Sequence, residues 1–517
     1  MKLKYSCDSE IKTERGNKMY EFYKNMEITY VDSPYLTKNQ FLNAEAHRVE
    51  LPTYQSISHL LPRIYWNGHE AEVACYNKAW EIAFSNLNNP EPGSGFVSPF
   101  IDTAFNGNLF MWDSSFILMF AKYASRAFDF QQTLDNFYSH QHKDGFISRE
   151  IREKDGAEVY ARLDPSSTGP AILSWCEYEY YLYSGDKSRL KNVYYPLLAY
   201  HLWMKKNRTW RNGTYFLSGL GCGMDNSPRQ ERDCNPRYEH GHMIWIDACF
   251  QALIDCDMLL KIAAISGIDD GVAELKSEKE TLGNFINQNL WDEETGFYYD
   301  MYRDNCLSGV KTIASFWSLL TGIVPDERVS RLVAHLENEN EFKRPHRVPS
   351  LSYDHPLYHP EGDYWRGSVW TPTTYMVLRG LDRCGYSKEA YDIALNTLEN
   401  VVKVFVETGT FWEDYAPEKA AQGNLAKDNF VGWTGLVPIS ILIEYVFGIR
   451  CNALEKTIEW NMYLDGEYGI DDLTFGEANV SLKHNADGTV DIKTDKPITV
   501  KLIQNGETEI RNCVPNI

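Results

Sequence analysis

Two acidic side chains stand in segments unlike the rest of the chain. Asp225 lies in Gly223-Met224-Asp225-Asn226-Ser227-Pro228-Arg229, and Glu413 lies in Phe411-Trp412-Glu413-Asp414-Tyr415. Between them runs Tyr364-Trp365-Arg366-Gly367-Ser368-Val369-Trp370-Thr371-Pro372. Carboxyl groups set among indoles and phenols suit sugar cleavage: aromatic faces hold the apolar faces of a pyranose, and two carboxyl groups divide the acid and base work. Gly223 and Pro228 favour an irregular loop, where functional groups concentrate on rigid scaffolds. The apolar neighbours Met224 and Pro228 would desolvate Asp225 and raise its pKa, the state a general acid needs at neutral pH; an ordinary surface loop is the alternative. Glu413 reads as a general base that activates water, or as the aromatic-flanked start of a helix. Asp414 competes with it, because successive residues point in different directions and one of them faces the site.

Other segments carry candidate binding groups. In Leu109-Phe110-Met111-Trp112-Asp113-Ser114-Ser115-Phe116, Trp112 reads as a pocket wall and Asp113 as an acceptor for sugar hydroxyls, or Asp113 or Ser114 caps a helix. Gln141–Arg152 holds an Asp144-Gly145 turn and two arginines, Arg149 and Arg152, which are surface residues or clamps for carboxylates or for an acidic group of a substrate. Core packing accounts for Trp370 but poorly for Asp363 and Arg366. His346, His355 and His359 lie in a proline-containing loop over Arg344–Pro360 without HExxH spacing, so neither a metal nor another cofactor is expected. GxSxG, P-loop and Rossmann signatures are also lacking.

The elements that must position these groups follow from composition and periodicity. Of the 517 residues, 43% are hydrophobic and 24% charged, enough for a large buried core. A net charge of −21 argues against nucleic acid and against anionic membrane surfaces. Eleven cysteines without CxxC spacing read as buried thiols in a reducing compartment. The first residues hold no apolar run, and no stretch approaches the ~18 apolar residues of a membrane span, so a cytoplasmic protein is expected unless a leader has been removed.

Apolar residues recur at helical spacing over Glu72–Leu87, Ser114–Phe128, Ser188–Lys205, Met243–Ile265, Val272–Leu290, Ser387–Glu407 and Leu436–Phe447. At roughly 33 residues per helix and connection, the span 55–449 holds about twelve helices. Twelve close naturally as six inner and six outer, an (α/α)6 barrel, although a helical solenoid gives a similar count. Residues 1–54 read as an N-terminal extension with one strand over Met26–Val31. Residues 450–517 read as a small antiparallel β unit, with alternating strands over 478–484, 489–493 and 498–503 and a hairpin turn at Asn485-Ala486-Asp487-Gly488. The fold class expected is mainly α.

Taken in order over about residues 95–449, Trp112-Asp113, the Asp225 loop, the Tyr364–Trp370 segment, Glu413-Asp414-Tyr415 and Gly432-Trp433-Thr434-Gly435 resemble the inverting glycosidases of glycoside hydrolase family 63. That family includes processing α-glucosidase and mannosylglycerate hydrolase-like enzymes, and the motifs are also similar to those of the related family 37 trehalases. The resemblance implies an (α/α)6 barrel with Asp225 as general acid and Glu413 as general base, about 6.5–9.5 Å apart so that a water fits between. It implies that Trp112, Asp113, Trp365, Trp370 and Trp433 line the subsite of the cleaved sugar; Asn226, Tyr364 and Arg366 complete the candidate binding set. Arg149 falls where trehalases keep a sugar-binding arginine, while the sequence around it departs from theirs. The Tyr-Trp-Arg-Gly segment lies closer to the α-glucosidases, and the long insertions of eukaryotic processing glucosidases are missing, so a glycoprotein precursor is not implied. The expected activity is an inverting α-glycosidase acting on a small gluco- or manno-configured glycoside. The alternatives are a sugar isomerase or epimerase on the same barrel, drawing on the His346–His359 loop, and a non-catalytic carbohydrate-binding protein, against which the two carboxylates argue.

Overall fold

A computed structural model describes residues 31–230 and 234–515; the strand expected over Met26–Val31 lies outside them except for Val31, which belongs to no strand. Helices Glu70–Ser85, Lys187–Asn207, Ile246–Ser266, Val272–Asn289 and Ser387–Thr408 stand within a few residues of where apolar recurrence places them. So does the helical segment made of Trp433–Leu436 and Val437–Val446. The helix expected over 114–128 instead runs Met111–Ala121 and breaks into a tight turn at Lys122–Ala124. The break turns Lys122 and Tyr123 inward, where both reach the buried Glu444 carboxylate at 3.0 and 2.9 Å. Helices Leu173–Ser184, Ile313–Leu320 and Thr371–Arg383 are additional to those expected; most of their residues are buried, polar ones such as Glu177, Ser315 and Thr373 among them.

Six helical segments touch one another in a closed circuit: Met111–Ala121, Leu173–Ser184, Ile246–Ser266, Ile313–Leu320, Thr371–Arg383 and the 433–446 segment, which returns to the first. Four further helices pack outside them. Lys187–Asn207 and Val272–Asn289 lie on Ile246–Ser266, while Glu70–Ser85 and Ser387–Thr408 lie on Val437–Val446. The residues singled out from the sequence fall at the N-terminal ends of the circuit helices or in the loops leading into them.

The β unit lies at the opposite, C-terminal ends. Ala453 N–H donates to the Leu182 carbonyl at 2.8 Å and Gly476 N–H to the Tyr183 carbonyl at 2.9 Å, while Arg450 pairs with Asp382. Gly448 makes the corner: its φ is +74°, and a Cβ there would lie 1.9 Å from the Asn461 carbonyl oxygen, so only glycine fits. Among the described residues the unit holds two four-stranded sheets. In one, Arg63–Trp66, from ahead of the helices, pairs with Tyr468–Phe475, followed by Ala478–His484 and Val490–Thr494, all antiparallel. The other corrects the expectation of a purely antiparallel unit, because Ile498–Gln504 runs parallel to Thr457–Asn461. Between those two strands the chain passes through the first sheet, a crossover long enough to return it in the same direction.

Among the described residues no helix is long and apolar enough to cross a membrane. Cys75, Cys176, Cys222, Cys249 and Cys256 are buried free thiols.

Candidate active site

The Asp225 loop is held by its last residue. Arg229, fully buried, forks onto Asp247 at 2.7 and 2.7 Å and onto Asp300 at 2.8 and 2.6 Å. Asp300 Oδ1 also accepts from Ile246 N–H at 2.9 Å, so the loop is tied to the first turn of the Ile246–Ser266 helix. These bidentate, charge-assisted bonds fix direction as well as distance. Gly223, with φ +78°, reverses the chain just ahead of Asp225 and packs on the Trp112 indole. Asp225 is half-buried, so its carboxyl is largely surrounded by protein yet keeps some access to solvent. Burial raises its pKa above the usual carboxylate range, and the positive charges of Arg149 and Arg237 oppose that rise.

Glu413 does not start a helix. Residues 411–416 and 421–430 face each other as an irregular hairpin, with bridges Trp412↔Asp428 and Tyr415↔Gln422 and Glu413 N–H donating to the Lys427 carbonyl at 2.9 Å. Extended backbone sends neighbouring side chains to opposite faces. Glu413 therefore faces Tyr364, whose hydroxyl donates to Oε1 at 3.1 Å, and Asp414 faces Ser368 and Gly423. Trp433 Nε1 donates to the Glu413 carbonyl at 2.8 Å. Oε2 has no partner among the described residues. Burial pushes the Glu413 pKa up to about 7; the Tyr364 hydrogen bond and the Lys427 charge oppose this, and the charge of Asp225 adds to it. Burial pushes Asp414 up to about 8; the Ser368 side chain opposes this, and the Glu413 charge adds to it. A Cβ on Gly423 would lie 1.8 Å from Asp414 Oδ1, so this turn admits no side chain.

The other predicted residues divide into those that face the carboxyl groups and those that support them. Asp113 is in the first turn of the Met111–Ala121 helix, but the N-cap is Phe110 and no side chain caps it, so the capping reading fails. Burial, reinforced by the charges of Glu413 and Asp102, holds the Asp113 pKa well above its usual range, and Arg149 opposes this. Arg149 is fixed by its Nε–H to the Ser166 carbonyl at 2.6 Å and lies over the Tyr160 ring at 4.6 Å, within electrostatic reach of both Asp113 and Asp225. Trp112 contacts Phe116 and Trp317 and closes the wall beside Gly223. Trp365 and Trp370 are fully buried and stack on each other at 4.1 Å with planes 1° apart, so they support the wall from behind. Arg366 joins Asp363 at 3.4 Å and the Asn226 carbonyl at 3.3 Å. Asn226 spends its side chain on backbone, donating to the Asp363 carbonyl at 3.0 Å and accepting from Trp365 N–H at 2.8 Å.

Other groups lie elsewhere or escaped the sequence reading. Arg152 pairs with exposed Asp155. His346 is buried beside Tyr415, with its pKa pushed down to about 3 by burial, and none of His346, His355 and His359 hydrogen-bonds Asp225 or Glu413 among the described residues. The Arg229–Asp247–Asp300 cluster and the Asp102–Glu153 carboxyl pair, in which burial and Asp102 push Glu153 up to about 8, join residues far apart in sequence and leave no local signal. His201, Cys256 and Glu278 are the group of metal-ligand types found among the described residues. His201 already pairs with Asp255 at 2.8 Å and Glu278 at 3.3 Å, and Lys205 meets Glu278 at 3.0 Å, so their charges are balanced within the protein.

Residues 107–434 match the mannosylglycerate hydrolase MGH1-like glycoside hydrolase domain, more than half of the chain. The chain is 26% identical over 254 residues to a probable mannosyl-oligosaccharide glucosidase of Schizosaccharomyces pombe, covering 46% of this chain and 30% of that protein. It is 24% identical over 377 residues to a mannosylglycerate hydrolase of Thermus thermophilus, covering 59% of this chain and 88% of that protein. A crystal structure of a GH63 mannosylglycerate hydrolase from another strain of Thermus thermophilus, in complex with glucose, superposes with a TM-score of 0.58 at 21% identity, over 70% of this chain and 98% of that one. The chain belongs to the MGH1-like glycoside hydrolase family and is a glycoside hydrolase.

Proposed function

We propose that this family member is an inverting α-glycosidase in which the circuit of helices is the inner ring of an (α/α)6 barrel, Asp225 is the general acid and Glu413 the general base. The supporting observation is that two separate loops meet at Tyr364: its hydroxyl donates to Glu413 at 3.1 Å, Asn226 beside Asp225 bonds the backbone on both sides of it, and after burial the charges of Asp225 and Glu413 are what raise its pKa most. In this reading Asp225 gives its proton to the glycosidic oxygen as the C–O bond breaks. Glu413 takes a proton from a water that attacks the anomeric carbon on the opposite face, and an α-linked substrate yields a β-sugar. Solvent then returns a proton to Asp225 and removes one from Glu413. Asp113 and Arg149 hold sugar hydroxyls, with Trp112 as an apolar wall.

The relatives' names support a small gluco- or manno-configured glycoside as substrate. The buried free thiols support action in the cytoplasm. In the division we propose, residues 55–449 are the catalytic body, 1–54 an extension, and 450–517 a β unit that borrows Arg63–Trp66.

Anomer-resolved product analysis over α-glucosides and α-mannosides (trehalose, nigerose, kojibiose, glucosyl- and mannosylglycerate) tests the reading. A β-anomeric product, lost in both Asp225→Asn and Glu413→Gln, is expected. A product of retained α configuration, or wild-type turnover in either variant, would refute it.

A further inference from the structure

Asn226 follows the proposed acid and grips the peptide on both sides of Tyr364, through the Asp363 carbonyl and the Trp365 N–H. Tyr364 itself sits at φ +59°, a left-handed conformation that a bulky residue keeps only where its surroundings over-determine it. Those surroundings are visible: Trp370 Nε1 donates to the Tyr364 carbonyl at 3.3 Å, and its ring meets the phenol edge-on at 4.8 Å. From this constrained backbone the hydroxyl reaches Glu413 Oε1. The residue beside the acid therefore holds the residue that holds the base.

We infer that Asn226 and Tyr364 form a clasp joining the acid loop to the base loop. Both are positioning residues: Tyr364 pins Glu413 Oε1 and leaves Oε2 to accept the proton of the attacking water, and Asn226 acts through Tyr364. This rests on the assignment of Asp225 and Glu413 proposed above. It differs from the role the sequence suggests for Asn226 and Tyr364, because contacts to sugar would show mainly in KM.

The test compares Tyr364→Phe, Asn226→Ala and the double variant with Asp225→Asn and Glu413→Gln. A hydrogen bond to a charged group predicts that Tyr364→Phe lowers kcat about 10- to 100-fold. KM should change little, and the acidic limb of kcat/KM should move to higher pH, since the lost bond favoured the ionised base. Asn226→Ala should change both in the same direction. The double variant should match Tyr364→Phe rather than multiply the two losses, because the two residues act in series. A turnover-free readout is the 13C titration of the Glu413 carboxyl in glutamate-labelled protein, identified by its absence in Glu413→Gln; it should shift upward in Tyr364→Phe. An unmoved titration, or multiplied losses in the double variant, overturns the clasp. Should Asn226→Ala fail to fold, the Tyr364→Phe titration decides. If Asp225→Asn and Glu413→Gln keep full activity, it is the catalytic assignment that falls. If both are inactive while Tyr364→Phe is unshifted, the assignment stands and the clasp falls.

Discussion

Glu413 and Asp414 differ by one position and one CH2, yet face different surroundings because the hairpin backbone is extended there. As the proposed base, Glu413 must be ionised, so a pKa of about 7 would set the acidic limb of kcat/KM: activity should fall about tenfold per pH unit below that point. A pH–rate profile with its lower limb near 4 would contradict this. Asp414 should show in stability instead. Its carboxyl moves from an ordinary 3.8 up to about 8 on burial. The native state then binds more protons than the unfolded state across that interval. The stabilisation from holding the proton is complete below the lower value and lost as pH rises through the upper one, at up to about 1.4 kcal/mol per pH unit. Asp414→Asn has no proton to lose, so its stability relative to wild type should rise between pH 5 and 8, measured by urea midpoints. A constant difference would mean that Asp414 does not titrate there.

At the scale of elements, the proposed site is two loops, each fixed by a device outside the proposed chemistry. Arg229→Met would leave Asp247 and Asp300 buried without their cation, an expected cost of about 3–5 kcal/mol. Turnover should fall with it, since the Asp225 loop loses its tether; differential scanning calorimetry and kcat check the two parts. Gly423→Ala should disturb the base loop, because its Cβ has no room beside Asp414. A lower melting temperature together with a reduced kcat is expected, and an unchanged kcat would separate that turn from the placement of Glu413. The helices legible in the sequence include outer ones, such as Val272–Asn289 and Ser387–Thr408, and inner ones, such as Ile246–Ser266, because apolar residues recur in them at helical spacing. Leu173–Ser184 and Thr371–Arg383 were not, since each buries polar residues, Glu177 and Glu179 in one and Thr371, Thr373 and Thr374 in the other, where apolar recurrence expects hydrophobic ones.

Across the whole molecule, the proposed chemistry and the β unit occupy opposite ends of the helical circuit. Trp66 meets Phe447 at 5.5 Å, Phe447 meets Tyr468 at 5.1 Å, and Trp460 Nε1 donates to the Phe447 carbonyl at 2.9 Å. Ending the chain at Gly448 would expose this cluster and strip Arg63–Trp66 of the strand it pairs with. We expect the truncated chain to be aggregation-prone or markedly less stable, read by size-exclusion chromatography and thermal melting. Wild-type stability would mean that the helices fold without the β unit.

The sequence by itself determined the kinds of chemistry available, the order of the motifs, most of the long helices and the C-terminal strands. Each of these rests on residue type or on spacing within one element, and local physics suffices for both. Tertiary structure alone decided that Glu413 rather than Asp414 turns to Tyr364, that Trp365 and Trp370 stack on each other, and that Asn226 is spent on backbone. It also decided that Arg229 bridges two distant carboxylates and that one strand pair in the β unit runs parallel. Each of these is a contact between segments remote in sequence, set by how packed helices and hairpins bring loops together, and no local pattern encodes it.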